Sequence, residues 1–399
     1  MPHNRLRYLT SAIKKGLSYS PIVGIFGSRQ VGKTHLLTSL SAEYVSLDQR
    51  NSLATLEADE TQFISNRGAP FGIDESQMAP TLFPALKEYV RLHPKKGAFL
   101  LTGSVRYLSR KSIRESLTGR IALFELLPLT LAETEDRPIP HFIRDFHLTK
   151  KIEPQLSVIS THLEKLRSPL SYLETGGLPG ICFFRDPTIR SQKFESHLDT
   201  VLSRDIKLIF PTTLEPKILI GLLIELAKSQ GDVIDYSKLS RKTRISRPTL
   251  AKVFNAFESL YLIRRLRTFG GPPKDICYFE DQGLASHLLN TQVDRRFQLR
   301  RLLYANLRQE VHYNDSAENY QFTTWRSTPS HQIDFVVQSK TAVTGIQVLQ
   351  ESTPTREELK TGAIFSKSFP GAKMLYVSLD SAPNVLHHQA ACMPAKALL

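Results

Sequence analysis

The chain has 399 residues, 41% of them hydrophobic, and a formal net charge of +14; this implies two to four domains with their own cores and a field that favours polyanions such as nucleic acid, an anionic membrane surface or an acidic protein. Cys182, Cys277 and Cys392 are widely spaced, so neither a disulfide framework nor a zinc site is expected, and a reducing cytoplasm suits the chain. No apolar run reaches the roughly 18 residues of a spanning helix, PIVGIF is too short for a signal-peptide core, and the histidines form no H-E-x-x-H pair, which removes that metalloprotease chemistry.

In chain order, residues 6–16 (LRYLTSAIKKG) have the spacing of an amphipathic helix stopped by Gly16. PIVGIF then reads as a buried strand, GSRQVGK as a glycine-bounded loop and THLLTSLSAE as a helix. Further strand-like runs at 43–47, 70–74 and 98–103 alternate with helical segments such as TLFPALKEYVRLH, the pattern of a parallel α/β sheet. Residues 135–170 are rich in proline and charge and read as an insertion or linker, while 214–308 is helical and basic. Between 238 and 308 there are fifteen Lys and Arg against five acids, so the surplus charge is concentrated there rather than spread for solubility. Residues 309–399 return to α/β texture.

Gly27-Ser28-Arg29-Gln30-Val31-Gly32-Lys33-Thr34 is a complete G-x-x-x-x-G-K-[ST] motif between a strand and a helix. Its glycines let backbone N–H groups converge on phosphate oxygens, Lys33 reaches the terminal phosphates, and the Thr34 hydroxyl ligates magnesium. The apolar strand ending in Asp74-Glu75 offers Asp74 to hold the ion through water and Glu75 to activate the attacking water. Thr102 and Ser104, ending the next strand, are placed to feel the γ-phosphate. Hydrolysis also wants a cation opposite the developing charge, and Arg120 in SLTGRIALF is the candidate, within the chain or reaching into a neighbouring copy.

Residues 231–279 read as a winged helix-turn-helix. SKLSRKT is a short helix, Ser246 caps a second helix whose apolar face is Leu250, Val253, Phe254 and Phe257, and YLIRRLRTFGGPPKDICYF alternates into a hairpin. Arg244, Arg247 and Lys252 flank or project from the second helix and Arg264, Arg265 and Arg267 lie on the wing, which suits nucleic-acid phosphates; such modules also serve as packing or protein-docking units. Further on, HQIDFVVQSKTAVTGIQVLQ (331–350) reads as a hairpin with Asp334 on its first strand.

The motifs GSRQVGKTHLL, YVSLD, IDESQMAPTLFPALK, LLTGS, ELLPLTLAE, YLETGGLPG, LSRDIK and YFEDQGLASHLL, in this order, resemble those of prokaryotic AAA+ ATPases in which a winged helix and a PD-(D/E)xK-like domain of unknown function follow the ATPase core. The resemblance implies an α/β P-loop NTPase (AAA+) core with a parallel sheet over 1–134, an insertion and helical lid over 135–210, a winged helix over 211–280, and a restriction-endonuclease-like α/β domain over 281–399. It also implies ATP and magnesium at Gly32, Lys33, Thr34 and Asp74, Glu75 as hydrolytic base, a sensor near Thr102 to Ser104, and a lid containing Gly176, Gly177, Pro179, Arg204 and Asp205. Ser28 departs from the proline usual in the family. The larger departure is C-terminal: where the family has I-E-V-K after its Asp, this chain has Gln347 and Leu349, and the upstream helix RRFQLRRLLYANLR offers no acid. Without a second carboxylate and a lysine the hairpin lacks the groups to hold a divalent ion and activate water. It is therefore read as a fold whose nuclease chemistry is lost. The expected activity is that of an ATPase switch or remodeller acting on or near nucleic acid, with a nucleotide-responsive DNA-binding regulator of little turnover as the alternative and an ATP-regulated nuclease as the remotest. A homo-oligomer is compatible with any of them. No [NT]-K-x-D motif supports guanine.

Overall fold

The computed structural model describes residues 5–106, 117–138, 140, 146–147, 169–289, 291, 293–314, 320–380 and 382–399. Most of the stretch 135–170 read as an insertion or linker lies outside the described residues. No helix among the described residues is long and apolar enough to cross a membrane.

The first sheet contains β1 (Ile22–Phe26), β2 (Glu43–Ser46), β3 (Phe71–Asp74), β4 (Phe99–Gly103) and β5 (Ile121–Glu125), in the order β2-β3-β4-β1-β5 and parallel throughout. β1, β3 and β4 are buried along their whole length, which explains their unbroken apolar runs. Around them stand α1 (Leu9–Tyr19), α2 (Lys33–Leu40), α3 (Arg50–Ala58), α4 (Glu60–Ile64) and α5 (Leu82–Leu92). Phe26 pairs with Gly103 on one side and Glu125 on the other, and Ile73 with Leu101. The carboxyl ends of β1, β3 and β4 are thereby level, and the segments that follow them emerge on one edge of the sheet.

A short α6 (Leu131–Thr134), closed by a Thr130–Glu133 capping box, leads towards α7 (Ser171–Thr175) and α8 (Pro187–Thr200). A π-helical turn over Val201–Asp205 joins α8 to α9 (Ile206–Ile209). Then come α10 (Pro216–Lys228), α11 (Tyr236–Thr243) and α12 (Arg247–Ser259), with Ser246 accepting a hydrogen bond from the Thr249 amide as the sequence suggests. Leu250, Val253, Phe254 and Phe257 are buried, and they share one core with Val23, Leu37, Leu198 and Ile206. The sheet, the α8–α9 segment and α12 are thus packed on common apolar side chains.

The hairpin β6 (Ile263–Phe269) and β7 (Asp275–Phe279) is followed by α13 (Gln282–Leu288), α14 (Arg295–Asn314), β8 (Gln321–Thr328), β9 (His331–Gln338), β10 (Val343–Val348), α15 (Arg356–Ser368), β11 (Lys373–Ser378), β12 (Asn384–His387) and β13 (Ala390–Pro394). β9 and β10 form the antiparallel hairpin expected from 331–350. β6 also pairs with β8, giving one eight-stranded sheet of order β12-β13-β11-β10-β9-β8-β6-β7. The hairpin assigned to the wing and the C-terminal strands are therefore one hydrogen-bonded unit, and Leu266, Ile276 and Tyr278 lie in the same core as Phe335 and Ile346.

Candidate nucleotide-binding site

The loop Gly27–Thr34 leaves the carboxyl end of β1. A Cβ at Gly27 would stand 2.2 Å from the Leu126 carbonyl oxygen, so only glycine fits, and Gly32 enters α2 with φ +99°, a left-handed conformation that glycine adopts without penalty. Lys33 is buried and donates to the carbonyls of Gly27 (3.1 Å) and Ser28 (2.8 Å); burial lowers its pKa against the pull of Glu75 and Asp74. Arg29 makes a bidentate pair with Asp205 of the π turn, and Arg7 donates to the Val31 carbonyl at 2.7 Å and to Glu133 at 3.2 Å. A cleft of about 1000 Å³ opens beside the loop, lined by Arg5, Arg7, Arg29, Lys33 and Lys193. Glu75 is the one carboxylate among the described residues lining it. Such a balance of charge suits a polyphosphate.

At the end of β3, Asp74 accepts from the Thr34 hydroxyl at 2.8 Å and from the Thr102 hydroxyl. This joins the start of α2 to β4 through one carboxylate. Glu75 follows in a left-handed conformation with φ 53°, strain of the kind stored at functional sites. Its Oε2 accepts from the Gln77 side-chain amide and from the Ser104 hydroxyl at 3.2 Å, and Gln77 also donates to Ser104 at 3.0 Å. The structure therefore brings together Lys33, Thr34, Asp74, Glu75, Thr102 and Ser104. Magnesium fits the oxygens of Thr34 and Asp74, which already face each other.

Arg120 requires a correction. It immediately precedes β5, and its carbonyl lies beside Ser20 at the amino end of β1, one five-residue strand, about 16 Å, from the loop. It cannot act on a phosphate in the same chain. Gly177, which the resemblance puts in the lid with Gly176, packs against Leu129 of the cleft lining: a Cβ on Gly177 would meet the Leu129 carbonyl at 2.1 Å, and the Gly177 amide donates to Asp281 at 2.7 Å.

The basic candidates divide. Arg244, Arg247 and Lys252 are exposed around α11 and α12, and the Arg267 side chain is 83% exposed. Arg264 and Arg265 are not free for phosphate, and their assignment to a nucleic-acid surface is overturned. Arg264 is bound to Glu125 and, at 2.9 Å, to Glu280; Arg265 is bound to Glu258 at 2.9 Å through Nε and to Asn255 at 2.6 Å. Alternation in the strand sends the two side chains to opposite faces, Arg264 to Glu125, 139 positions away in sequence, and Arg265 to Glu258 on the preceding helix.

In the C-terminal hairpin Asp334 is 2% exposed, accepts from the Val348 amide at 2.9 Å and pairs with Arg296 at 3.4 Å and Arg300 at 3.9 Å. Guanidinium groups and a backbone amide engage the carboxylate that a nuclease would give to a metal ion. Sequence reasoning missed Gln77, Arg7 and the Asp205 partner of Arg29. Gln77 had a signal, lying two residues beyond Glu75 in DESQ; Arg7 had none, since its contacts are 24 and 126 positions away.

Residues 19–135 match the model of an AAA domain, and residues 167–295 match that of a domain of unknown function (DUF8612). The chain is 24% identical to an uncharacterized protein of Mycobacterium tuberculosis, over 98% of this chain and 84% of the relative, and 24% identical to one of Methanocaldococcus jannaschii, over 89% and 80%. Among solved structures it is similar to a Walker-type ATPase of Pyrococcus abyssi (13% identity, 70% of this chain and 94% of that one, TM-score 0.39) and to AMPPCP-bound DnaA from Aquifex aeolicus (16%, 62% and 86%, TM-score 0.27). The phosphate-binding loop and the carboxylates at the end of β3 both lie within the segment, residues 19–135, that matches the AAA domain.

Proposed function

We propose that the chain binds ATP with magnesium, hydrolyses it, and uses nucleotide state to drive a switch or remodelling act on or near nucleic acid. The observation that carries this reading is the joined set Lys33, Thr34, Asp74 and Glu75 at the mouth of a cation-lined cleft. Lys33 exchanges its two carbonyl partners for oxygens of the terminal phosphates, and the amides of the loop and the start of α2 hold the rest of the chain of phosphates. Thr34 and Asp74 would hold the magnesium, which supplies neutralisation of phosphate charge. Glu75 takes the proton of the attacking water; Gln77 and Ser104 secure one oxygen of its carboxylate and leave the other for that water. Arg120 lies too far to assist in its own chain, so as the cation opposite the developing charge it serves a neighbouring copy, which would make the active form an oligomer.

The output surface in this reading is a winged helix formed by α11, α12 and the β6–β7 hairpin, with Arg244, Arg247, Lys252 and Arg267 as phosphate contacts. The exposure of these four cations supports a second reading, a nucleotide-responsive DNA-binding regulator with little turnover. Turnover measured with and without DNA separates the two. The ATPase reading expects phosphate release by the wild type that falls about 10²- to 10⁴-fold in Glu75→Gln, with ATP still bound, and loss of binding in Lys33→Ala. Absence of release from the wild type under both conditions overturns it in favour of the regulator.

A further inference from the structure

Helix α8 places His197 in the lining of the cleft together with Arg29, Lys33, Thr34 and Glu75. The residue is 4% exposed, and its Nδ1 makes no hydrogen bond among the described residues. Its neighbours are all engaged: Lys33 with two loop carbonyls, Arg29 with Asp205, Thr34 with Asp74 and Glu75 with Ser104. A buried ring nitrogen without a protein partner is a cost to the fold, and in the lining of the cleft a bound ligand relieves it. Burial, with Arg29 and Lys33 beside it, lowers the imidazole pKa to about 4, so at neutral pH the ring is uncharged and carries one N–H donor. Phosphate oxygens only accept, and the ring lines the cleft together with Arg29 and Lys33.

The position of His197 along the chain adds a second line of argument. It is followed within α8 and the π turn Val201–Asp205 by Asp205, whose carboxylate clamps Arg29 of the loop. Single π turns are frequent at functional sites. Beyond the turn, Val201, Leu202 and Ile206 share a core with Val253, Phe254 and Phe257 of α12. One continuous helical rod therefore touches the cleft at one end and the exposed basic helix at the other.

We propose that His197 donates a hydrogen bond to the terminal phosphate of the bound nucleoside triphosphate and is the residue through which the α8–α9 rod registers nucleotide state. This deepens the ATP-binding reading and rests on it. The test is calorimetric titration of the full-length protein with ATP and with ADP, both with magnesium, for the wild type, His197→Ala, His197→Asn and His197→Gln. A hydrogen bond to a charged oxygen predicts that alanine weakens ATP by about 10- to 100-fold and ADP by less than about threefold. Asparagine and glutamine each carry an amide donor near one ring nitrogen, and the one that matches the donating position restores most of the loss. In hydrogen exchange, ATP protects residues 197–209 in the wild type and in the restoring variant only. Unchanged ATP affinity in a folded alanine variant overturns the proposal, and so does an equal loss for ATP and ADP. If the alanine variant fails to fold, the asparagine and glutamine variants decide: equal weakening in both, without loss of ATP-over-ADP preference, also overturns it. Failure of the wild type to bind ATP, in which case Lys33→Ala changes nothing, overturns the ATP-binding reading itself and is distinct from these outcomes.

Discussion

Replacing Arg264 by alanine tests whether the basic strand β6 serves the fold or a ligand. Its guanidinium sits in a cluster with Glu125 at the end of β5, Glu280 after β7, Arg106 after β4 and Arg308 on α14. The Arg264 side chain is 19% exposed and that of Glu280 3%. Removing one member of a buried ion pair costs about 3–5 kcal/mol. Here both carboxylates keep Arg308, at 3.1 and 3.2 Å, and Arg106, at 3.6 and 3.7 Å, so Arg264→Ala belongs at the low end, about 3 kcal/mol. Glu280→Ala leaves three guanidinium groups sharing Glu125 and belongs at the high end, about 5 kcal/mol. At about 2 °C per kcal/mol for a unit of this size, the melting temperature falls by about 6 °C and about 10 °C. Burial alone would raise the Glu125 carboxyl, but Arg264, Arg308 and Arg106 overcome it and hold it well below its ordinary value of 4.5. A carboxylate so depressed contributes stability that is present in full above that ordinary value and is lost as pH falls below it, so the wild-type advantage over Glu125→Gln shrinks on acidification from pH 5. Thermal melts followed by circular dichroism read all of this. A fall of less than about 2 °C for Arg264→Ala, or a larger fall than for Glu280→Ala, would refute the reasoning.

Three further outcomes are expected. Glu75→Gln retains ATP binding while phosphate release drops by about two to four orders of magnitude, measured in single-turnover and steady-state assays. A triple Arg244→Ala, Arg247→Ala, Lys252→Ala variant flattens the slope of log K against log salt for DNA by up to about three, at 0.9 per phosphate contact, whereas Arg265→Ala leaves the slope unchanged and lowers stability instead. Asp334→Ala leaves the buried Val348 amide without its acceptor, while Arg300 keeps Asp232 at 3.1 Å, and destabilises the C-terminal sheet by about 1–3 kcal/mol, visible in denaturant titration; magnesium elicits no cleavage of DNA by the wild type, and cleavage abolished in this variant would restore the nuclease reading.

The amino-acid sequence by itself determined the strand, loop and helix around Gly27–Thr34, the acid pair ending β3 and the β9–β10 hairpin. Each depends on backbone geometry and side-chain alternation within a dozen or so residues, and those are local properties. It also showed Gln347 and Leu349 where the family that the motifs resemble has an acid and a lysine. What only the tertiary structure decided is where each charge ends up. Arg264 and Arg265 carry the same local signal as Arg267 on one strand, yet the first is matched by Glu125, 139 positions away, and the third stands in solvent. Arg120 reads from the sequence as the cation opposite the developing charge, but the parallel register puts it at the far end of the sheet from the loop. The Arg29–Asp205 clamp spans 176 positions, and His197 enters the cleft only because α8 folds back across the loop. A residue's own neighbours set its backbone conformation, whereas the partner that neutralises or exposes its charge is chosen by packing between segments that the chain brings together only on folding.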